Sequence, residues 1–252
     1  MNTSLHDADL SPLLHTGDQG DIAILIDFLT DNGKGRISMS REVCALLVKA
    51  RDAAAVGRVA QDAIVSELQR FGGNSLLNML RGGKGVSYRE IVRDVADHLN
   101  VDCPKEQDIA GIESAILMQV VAKSLEKMSD DEKQSFFAQF GMVYDGTIAG
   151  VALAALARLV AGGGIASYHL ALVAANAVAR SLAGRGVTLG ANAAFARGIG
   201  AFAGPIGWAL TAIWSAYDLA SPAYRVTVPC VVQIAYMRQK TMLPQVQRDA
   251  LQ

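Results

Sequence analysis

Apolar residues recur at helical spacing through the N-terminal half of the chain. In the clearest case, Val56, Ala60, Ile64 and Leu68 fall on one face of a helix over residues 56–71. The same spacing predicts helices over residues 9–14, 22–29, 41–50 and 108–128. Because no segment alternates apolar and polar residues for long, the pattern predicts an all-α protein.

Two serines, each followed three residues later by a glutamate, have the spacing of capping boxes and predict helix N-termini: Ser87 with Glu90, and Ser129 with Glu132. Near the C-terminus, Pro229 has no backbone N–H and suits the start of a helix better than its interior. Residues 226–229 could form a short extended piece, but Pro229 favours a segment that leads into a final helix over residues 230–240.

The C-terminal half contains a segment with very few charges, residues 146–217, which we call the apolar block. Its 72 residues include four charged side chains, Arg158, Arg180, Arg185 and Arg197. Residues 159–179 and 198–217 carry no charge, and about 20 apolar residues suffice to span a bilayer. Glycine breaks at 162–164 and 204–207 favour three or four helices over two clean spans. A spanning hairpin, conditional insertion and a buried core remain open.

Some side chains of the apolar block are candidates for lipid or partner contact. Arg180, Arg185 and Arg197 lie between the two uncharged runs, as the basic connection of a hairpin would. Trp208 and Trp214 cluster near one end of the block, as in an interfacial aromatic belt.

Charge divides the chain into two regions. Residues 1–145 carry 22 acidic and 15 basic residues, a net charge of −7, whereas residues 146–252 carry 2 and 8, a net charge of +6. We expect an acidic N-terminal helical domain over residues 1–145 and a basic, apolar Gly/Ala-rich helical domain over residues 146–252. The basic half could face anionic lipid or the acidic half, or the helices simply differ in charge.

Motifs for catalysis, cofactors and metals are weak or absent in the sequence. Three widely spaced cysteines indicate a reducing compartment, and no signal peptide precedes the first helix, so we expect a cytoplasmic protein. The sequence RGGKGVS lacks the spacing and preceding strand of a phosphate-binding loop. The four histidines have no ligand spacing, and no basic stripe indicates nucleic acid. We expect no enzyme, no cofactor and no metal.

Two stretches, FGGNSLLNMLRGGKGVSYREIVRDVADHL and SPAYRVTVPCVVQIAYMR, resemble matching segments of the YaaW-like family of bacterial proteins. This family has been linked to a helical ubiquinol–cytochrome c chaperone domain. One branch of it is the sensor (JukA) of a defence system against jumbo phages that build a nucleus. The resemblance implies an antiphage sensor that recognises an early membrane-bound phage compartment and acts with an effector protein encoded nearby.

Both stretches place a cation and an aromatic residue beside glycine or proline: Arg81 and Tyr88 around the glycines, and Tyr224 and Arg225 before Pro229. Such pairs suit contact with a carboxylate or phosphate. Alternatively, the arginines tie the two halves of the chain together through acids such as Asp94 or Glu90.

The leading hypothesis is a non-enzymatic defence sensor with a lipid-facing apolar surface, recruited from the cytoplasm to a membrane. A pore-forming protein with a sequestered hairpin and a helical assembly chaperone are the alternatives. The oligomeric state stays open.

Overall fold

The computed structural model describes residues 7–73, 86–144, 146, 149–183 and 223–244. All regular structure in these ranges is helical, which confirms the all-α prediction. The helices are α1 (Ser11–Thr16), α2 (Gln19–Thr30), α3 (Arg41–Asp52), α4 (Arg58–Gly73), α5 (Tyr88–His98), α6 (Ile109–Leu125), α7 (Asp130–Ala138), α8 (Ala149–Ala161), α9 (Gly164–Ala183) and α10 (Tyr224–Met242).

Both predicted capping boxes are present. The Ser87 hydroxyl accepts the Glu90 N–H at 3.3 Å, and the Ser87 N–H donates to the Glu90 carboxylate at 3.0 Å. Ser129 and Glu132 make the same reciprocal pair at the start of α7, at 3.3 and 2.8 Å. These local bonds satisfy donors that the first helical turn would otherwise leave unpaired, which is why they could be read from spacing alone.

Helix α10 lies at the centre of the molecule. It packs against α9 most extensively, and also against α2, α4, α5 and α6. Every residue from Val226 to Ala235 is buried, and the chain carries no charge between Arg225 and Arg238. A helix that is apolar on all sides stays stable only where other elements surround it. Helix α10 therefore joins the halves of the chain in one core.

The prediction that the final helix begins at residue 230 is wrong. Helix α10 begins at Tyr224, so residues 226–229 are helical and Pro229 lies inside the helix. A proline there removes one intrahelical hydrogen bond and destabilises a helix by about 3 kcal/mol. Burial of the surrounding side chains outweighs that loss, since Val226, Val228, Val231 and Val232 are each at most 1% exposed.

The hydrophobic core includes residues from both sides of residue 145. Phe28, Ile64 and Ile116 from the N-terminal half share one buried cluster with Leu170 and Val231 from the C-terminal half. The division into domains at residue 145 stays a prediction based on composition, and the core extends across it.

Candidate functional site

Helices α8 and α9 form an apolar elbow, which we define as residues 150–165 and which is the candidate interaction surface of the chain. The axes of the two helices differ by 117° at the break after Ala161. Gly163 and Gly164 adopt φ angles of +73° and +70°, which L side chains rarely adopt. Two successive left-handed residues turn the chain sharply, so the predicted glycine break at 162–164 is confirmed.

One side of α8 faces the core and the other faces solvent, although both sides are apolar. Leu156 and Val160 are buried, at 0% and 5% exposed. Val151 is 63% exposed and Leu159 is 42% exposed, and Ile165 at the start of α9 is 43% exposed. A surface helix normally directs polar residues to water. Here the solvent-facing side is Gly, Ala, Val and Leu with a single cation, Arg158.

Beyond its first turns, α9 is held inside the bundle. Leu170, Ala171, Ala174 and Val178 are fully buried, and α9 packs against α10 and α6. The ring of Tyr168 lies 5.8 Å from the ring of Tyr236 on α10. The elbow, by contrast, has only Leu156 and Val160 as buried side chains, so it is the exposed part of the helix pair.

Length and composition do not make any single described helix a membrane span. The segments Gly150–Ala161 and Gly164–Ala179 meet the requirement only when taken together, and the sharp bend separates them. The described part of the apolar block therefore has the form of a broken pair, whereas its residues 184–217 lie outside the described ranges.

A second feature is a buried polar cluster, which we call the polar junction and which is centred on Glu113 of α6. The Glu113 side chain is 0% exposed and accepts hydrogen bonds from the Tyr88 hydroxyl at 2.7 Å and from Arg238 Nε at 2.7 Å. Arg238 also donates to the backbone carbonyl of Asp9 at 2.9 Å. The junction thus connects α5, α6 and α10 to the segment before α1.

The N-terminal segment is fixed to the same junction by Asp7. Its carboxylate accepts the Tyr88 N–H at 2.7 Å and the Gln69 side-chain amide at 3.1 Å. Burial raises the pKa of Glu113, an effect that Arg238 and Tyr88 oppose, and burial followed by the Glu113 charge holds the pKa of Tyr88 well above its ordinary value. Such an enclosed and mutually bonded set suits structural connection of helices.

An ion pair also holds the C-terminal end of α10 against α2. Lys240 Nζ lies 2.7 Å from the Asp21 carboxylate, and the Gln233 amide donates to the Asp21 carbonyl at 3.1 Å. With the polar junction, these bonds fix the register of the central helix relative to its neighbours. Among the described residues, no group of three His, Cys, Asp or Glu side chains is arranged to bind a metal ion.

The structure separates the contact residues predicted in the two family-like stretches. Tyr88 is fully buried in the polar junction, so its side chain serves the core in this structure. Tyr224, at the opposite end of the α5–α10 pair, stacks on His98 with ring centroids 3.8 Å apart. The next residue, Arg225, is exposed. Burial lowers the pKa of Arg36, and the positive charge of Arg225 lowers it further.

The structure does not describe the side chains of the other predicted contact residues. Arg180 lies in the last turn of α9, but its side chain is outside what the structure describes. The following also lie outside the described ranges: Arg81, Arg185, Arg197, Trp208 and Trp214. Their assignment to a lipid or partner surface stays a prediction.

Sequence reasoning missed the polar junction, although one signal for it was present. Glu113 occupies the apolar face of α6, in line with Ile109, Ile116 and Val120. A carboxylate on such a face requires a buried partner. Its partner, Arg238, is 125 residues away, so no local pattern could identify it.

Comparison with known proteins gives relatives that cover most of the chain. A UPF0174 protein of Helicobacter pylori strain J99 is 38% identical over 190 residues, which is 75% of this chain and 75% of that protein. The UPF0174 protein YaaW of Escherichia coli K12 is 32% identical over 251 residues, 98% of this chain and 100% of YaaW. No family model and no solved structure matches the chain. The identity and coverage show that the chain belongs to the UPF0174 family, which includes YaaW.

Proposed function

We propose that the protein is a non-enzymatic antiphage sensor that meets lipid through its apolar elbow and engages a partner effector encoded nearby. In this proposal it is recruited from the cytoplasm to the early membrane-bound compartment of a jumbo phage. The observation that carries the lipid part is the solvent-facing apolar side of α8, with Val151 63% exposed and no carboxylate on the helix. The resemblance to the YaaW-like family, one branch of which is a defence sensor, supports the antiphage part.

Peripheral contact fits the energetics of this fold better than insertion of the whole helix pair. Withdrawing α9 would expose the buried faces of α10 and α6 to water. Each buried aliphatic side chain that becomes exposed costs about 1.5–3 kcal/mol. Total stabilities of only about 5–15 kcal/mol leave little room for several such losses. The elbow, by contrast, is already exposed.

Phage challenge tests the defence role directly. Cells carrying the gene with its neighbouring gene should survive infection by a nucleus-forming jumbo phage, and deletion of either gene should abolish survival. A small phage that builds no such compartment is the matched control. Equal protection against both phages, or protection that persists without this chain, would contradict the sensor role.

A pore-forming protein is the second candidate, because the two segments on either side of the bend satisfy a span's length and composition when combined. Dye release from phosphatidylglycerol-containing vesicles separates the two functions. The sensor binds the vesicles and leaves the dye inside, whereas a pore-former releases dye without any partner. A stable complex with a protein client and no vesicle binding would instead favour an assembly chaperone.

A further inference from the structure

We propose that the tip of the elbow is a shallow anchor for anionic phospholipid bilayers, in which Leu159 and Ile165 enter the interface and Arg158 binds a headgroup phosphate. This inference rests on the proposed function, and it names the lipid class, the residues and the depth. The helical bundle stays closed when the tip binds.

The tip has the shape that shallow insertion requires. Leu159 and Ile165 stand on either side of the three exposed glycines 162–164, at 42% and 43% exposed. A Cβ placed on Gly163 or Gly164 would find no atom within 4 Å, so the turn projects away from the rest of the molecule. Two large aliphatic side chains beside a projecting turn can enter the headgroup and acyl boundary while the helices remain folded.

The charge of this surface fits anionic lipid. From residue 149 to residue 179 the chain has one charged side chain, Arg158, which is exposed. A guanidinium binds a phosphate in bidentate geometry, and no carboxylate in this stretch repels the headgroup charge. An anionic bilayer supplies both the apolar boundary and the phosphate that this pairing of residues requires.

Burial limits the depth of insertion. Ser167 is 4% exposed and Leu170 is fully buried, so the exposed apolar surface of α9 ends within its first turn. Deeper entry would remove α9 from α10. We therefore expect the tip to stop near the boundary between the headgroups and the acyl chains.

Vesicle flotation of the full chain tests the anchor. The probes are vesicles of phosphatidylcholine with and without phosphatidylglycerol. The double variant Leu159→Gln/Ile165→Gln should bind the anionic vesicles about tenfold more weakly. The matched control Ile37→Gln/Val59→Gln removes two exposed aliphatic side chains, at 110% and 70% exposed, from the N-terminal half and should bind like the parent.

The contribution of Arg158 is tested by two substitutions. Arg158→Gln should weaken binding to anionic vesicles about fivefold and leave the weak binding to phosphatidylcholine unchanged. Arg158→Lys keeps the charge but loses the bidentate geometry, so its affinity for anionic vesicles should lie between those of the parent and the Gln variant. If Gln and Lys behave alike, the headgroup contact is overturned.

A third experiment measures how deeply the tip enters the bilayer. A fluorophore is attached to the cysteine of an Ile165→Cys variant in which Cys44 and Cys103 are replaced by serine. Lipids with a quencher near the headgroup should quench it more strongly than lipids with a quencher near the chain end. Stronger quenching from the chain end overturns shallow insertion, and so does release of vesicle dye. Circular dichroism and thermal unfolding establish that each variant is folded.

The results also separate this inference from the proposed function. If the parent chain gives phage protection and binds vesicles while the tip variant binds equally well, the tip is not the anchor and the sensor role stands. If the parent binds no vesicle, both lipid proposals fail. A tip variant that changes the oligomeric mass but not vesicle binding assigns this face to self-association and overturns the anchor.

Discussion

Helices α8 and α10 are both uncharged over most of their length, and neither contains an acidic residue. Their degree of burial is nevertheless opposite. Helix α10 packs against five of the helices in the described ranges, while α8 leaves an apolar side in solvent. The difference lies in the few polar residues of each helix. Gln233, Arg238 and Lys240 fix α10 to partners on other elements, whereas the only charged residue of α8, Arg158, faces solvent.

The comparison shows that apolar composition alone does not decide whether a helix becomes core. Packing density and a few long-range polar contacts decide the placement of α10. Helix α8 is held by one buried side, chiefly Leu156 and Val160. Four tests probe this contrast, from the largest expected effect to the smallest.

Removal of the arginine in the polar junction should have the largest effect. Arg238→Ala leaves the carboxylate of Glu113 buried without its cation, and we expect a loss of about 3–5 kcal/mol in the free energy of unfolding. Urea denaturation followed by circular dichroism measures it. Arg158→Ala on the exposed side of α8 is the control, with an expected change within about 0.5 kcal/mol. Equal effects of the two substitutions would contradict the contrast.

Two leucines on opposite sides of α8 provide the second test. Leu156→Ala removes a fully buried side chain and should cost about 2–5 kcal/mol. Leu159→Ala changes a side chain that is 42% exposed and should cost less than about 1 kcal/mol. Thermal unfolding of the two variants compares them directly. A loss at Leu159 as large as that at Leu156 would mean that the exposed side is covered in solution.

The elbow glycine should give a smaller effect. Gly163→Ala places a Cβ on a residue with φ of +73°, which destabilises the fold by about 1–2 kcal/mol although the site has open space. Gly163→Asn is the matched variant, since asparagine tolerates this conformation better, and it should lose less. If alanine and asparagine give equal unfolding temperatures, left-handed geometry is not what the elbow requires.

The smallest effect concerns pH at the His98–Tyr224 stack. Burial, followed by repulsion from Lys123, lowers the pKa of His98 below 6.5. Between that lowered value and 6.5 the unfolded chain binds more protons than the folded chain, so stability is lost as the pH falls through this window. His169, whose pKa burial also lowers, contributes in the same direction.

Thermal unfolding at neutral pH and at about pH 5 measures the dependence, which should be smaller in His98→Gln than in the parent. A parent and variant with the same slope would show that His98 does not contribute.

The features that sequence reasoning predicted correctly depend on nearby residues. Helical spacing and the Ser–Glu pairs act within three or four positions, so they located α4, α5 and α7 before any tertiary contact was known. The prediction from Pro229 was wrong because packing of α10 against five described helices outweighs the preference of proline for a helix start. Glu113 and Arg238 meet across 125 residues, and the exposed side of α8 has the same residue types as its buried side. Glu113 on an apolar helix face is a local signal, but neither the identity of its partner nor the exposure of α8 leaves a local pattern.

The position of α10 late in the chain has a consequence for synthesis. The Asp21 carbonyl receives its bond from Gln233, and the Asp9 carbonyl from Arg238, across 212 and 229 residues. At about 5–20 residues per second, a ribosome needs roughly 10–40 s to add the residues that separate each carbonyl from its donor in α10. During that interval α2, α4, α5 and α6 have been made but lack their central neighbour, and contacts this distant in sequence form slowly. The core that the described helices share therefore cannot close until synthesis has passed Met242, the last residue of α10.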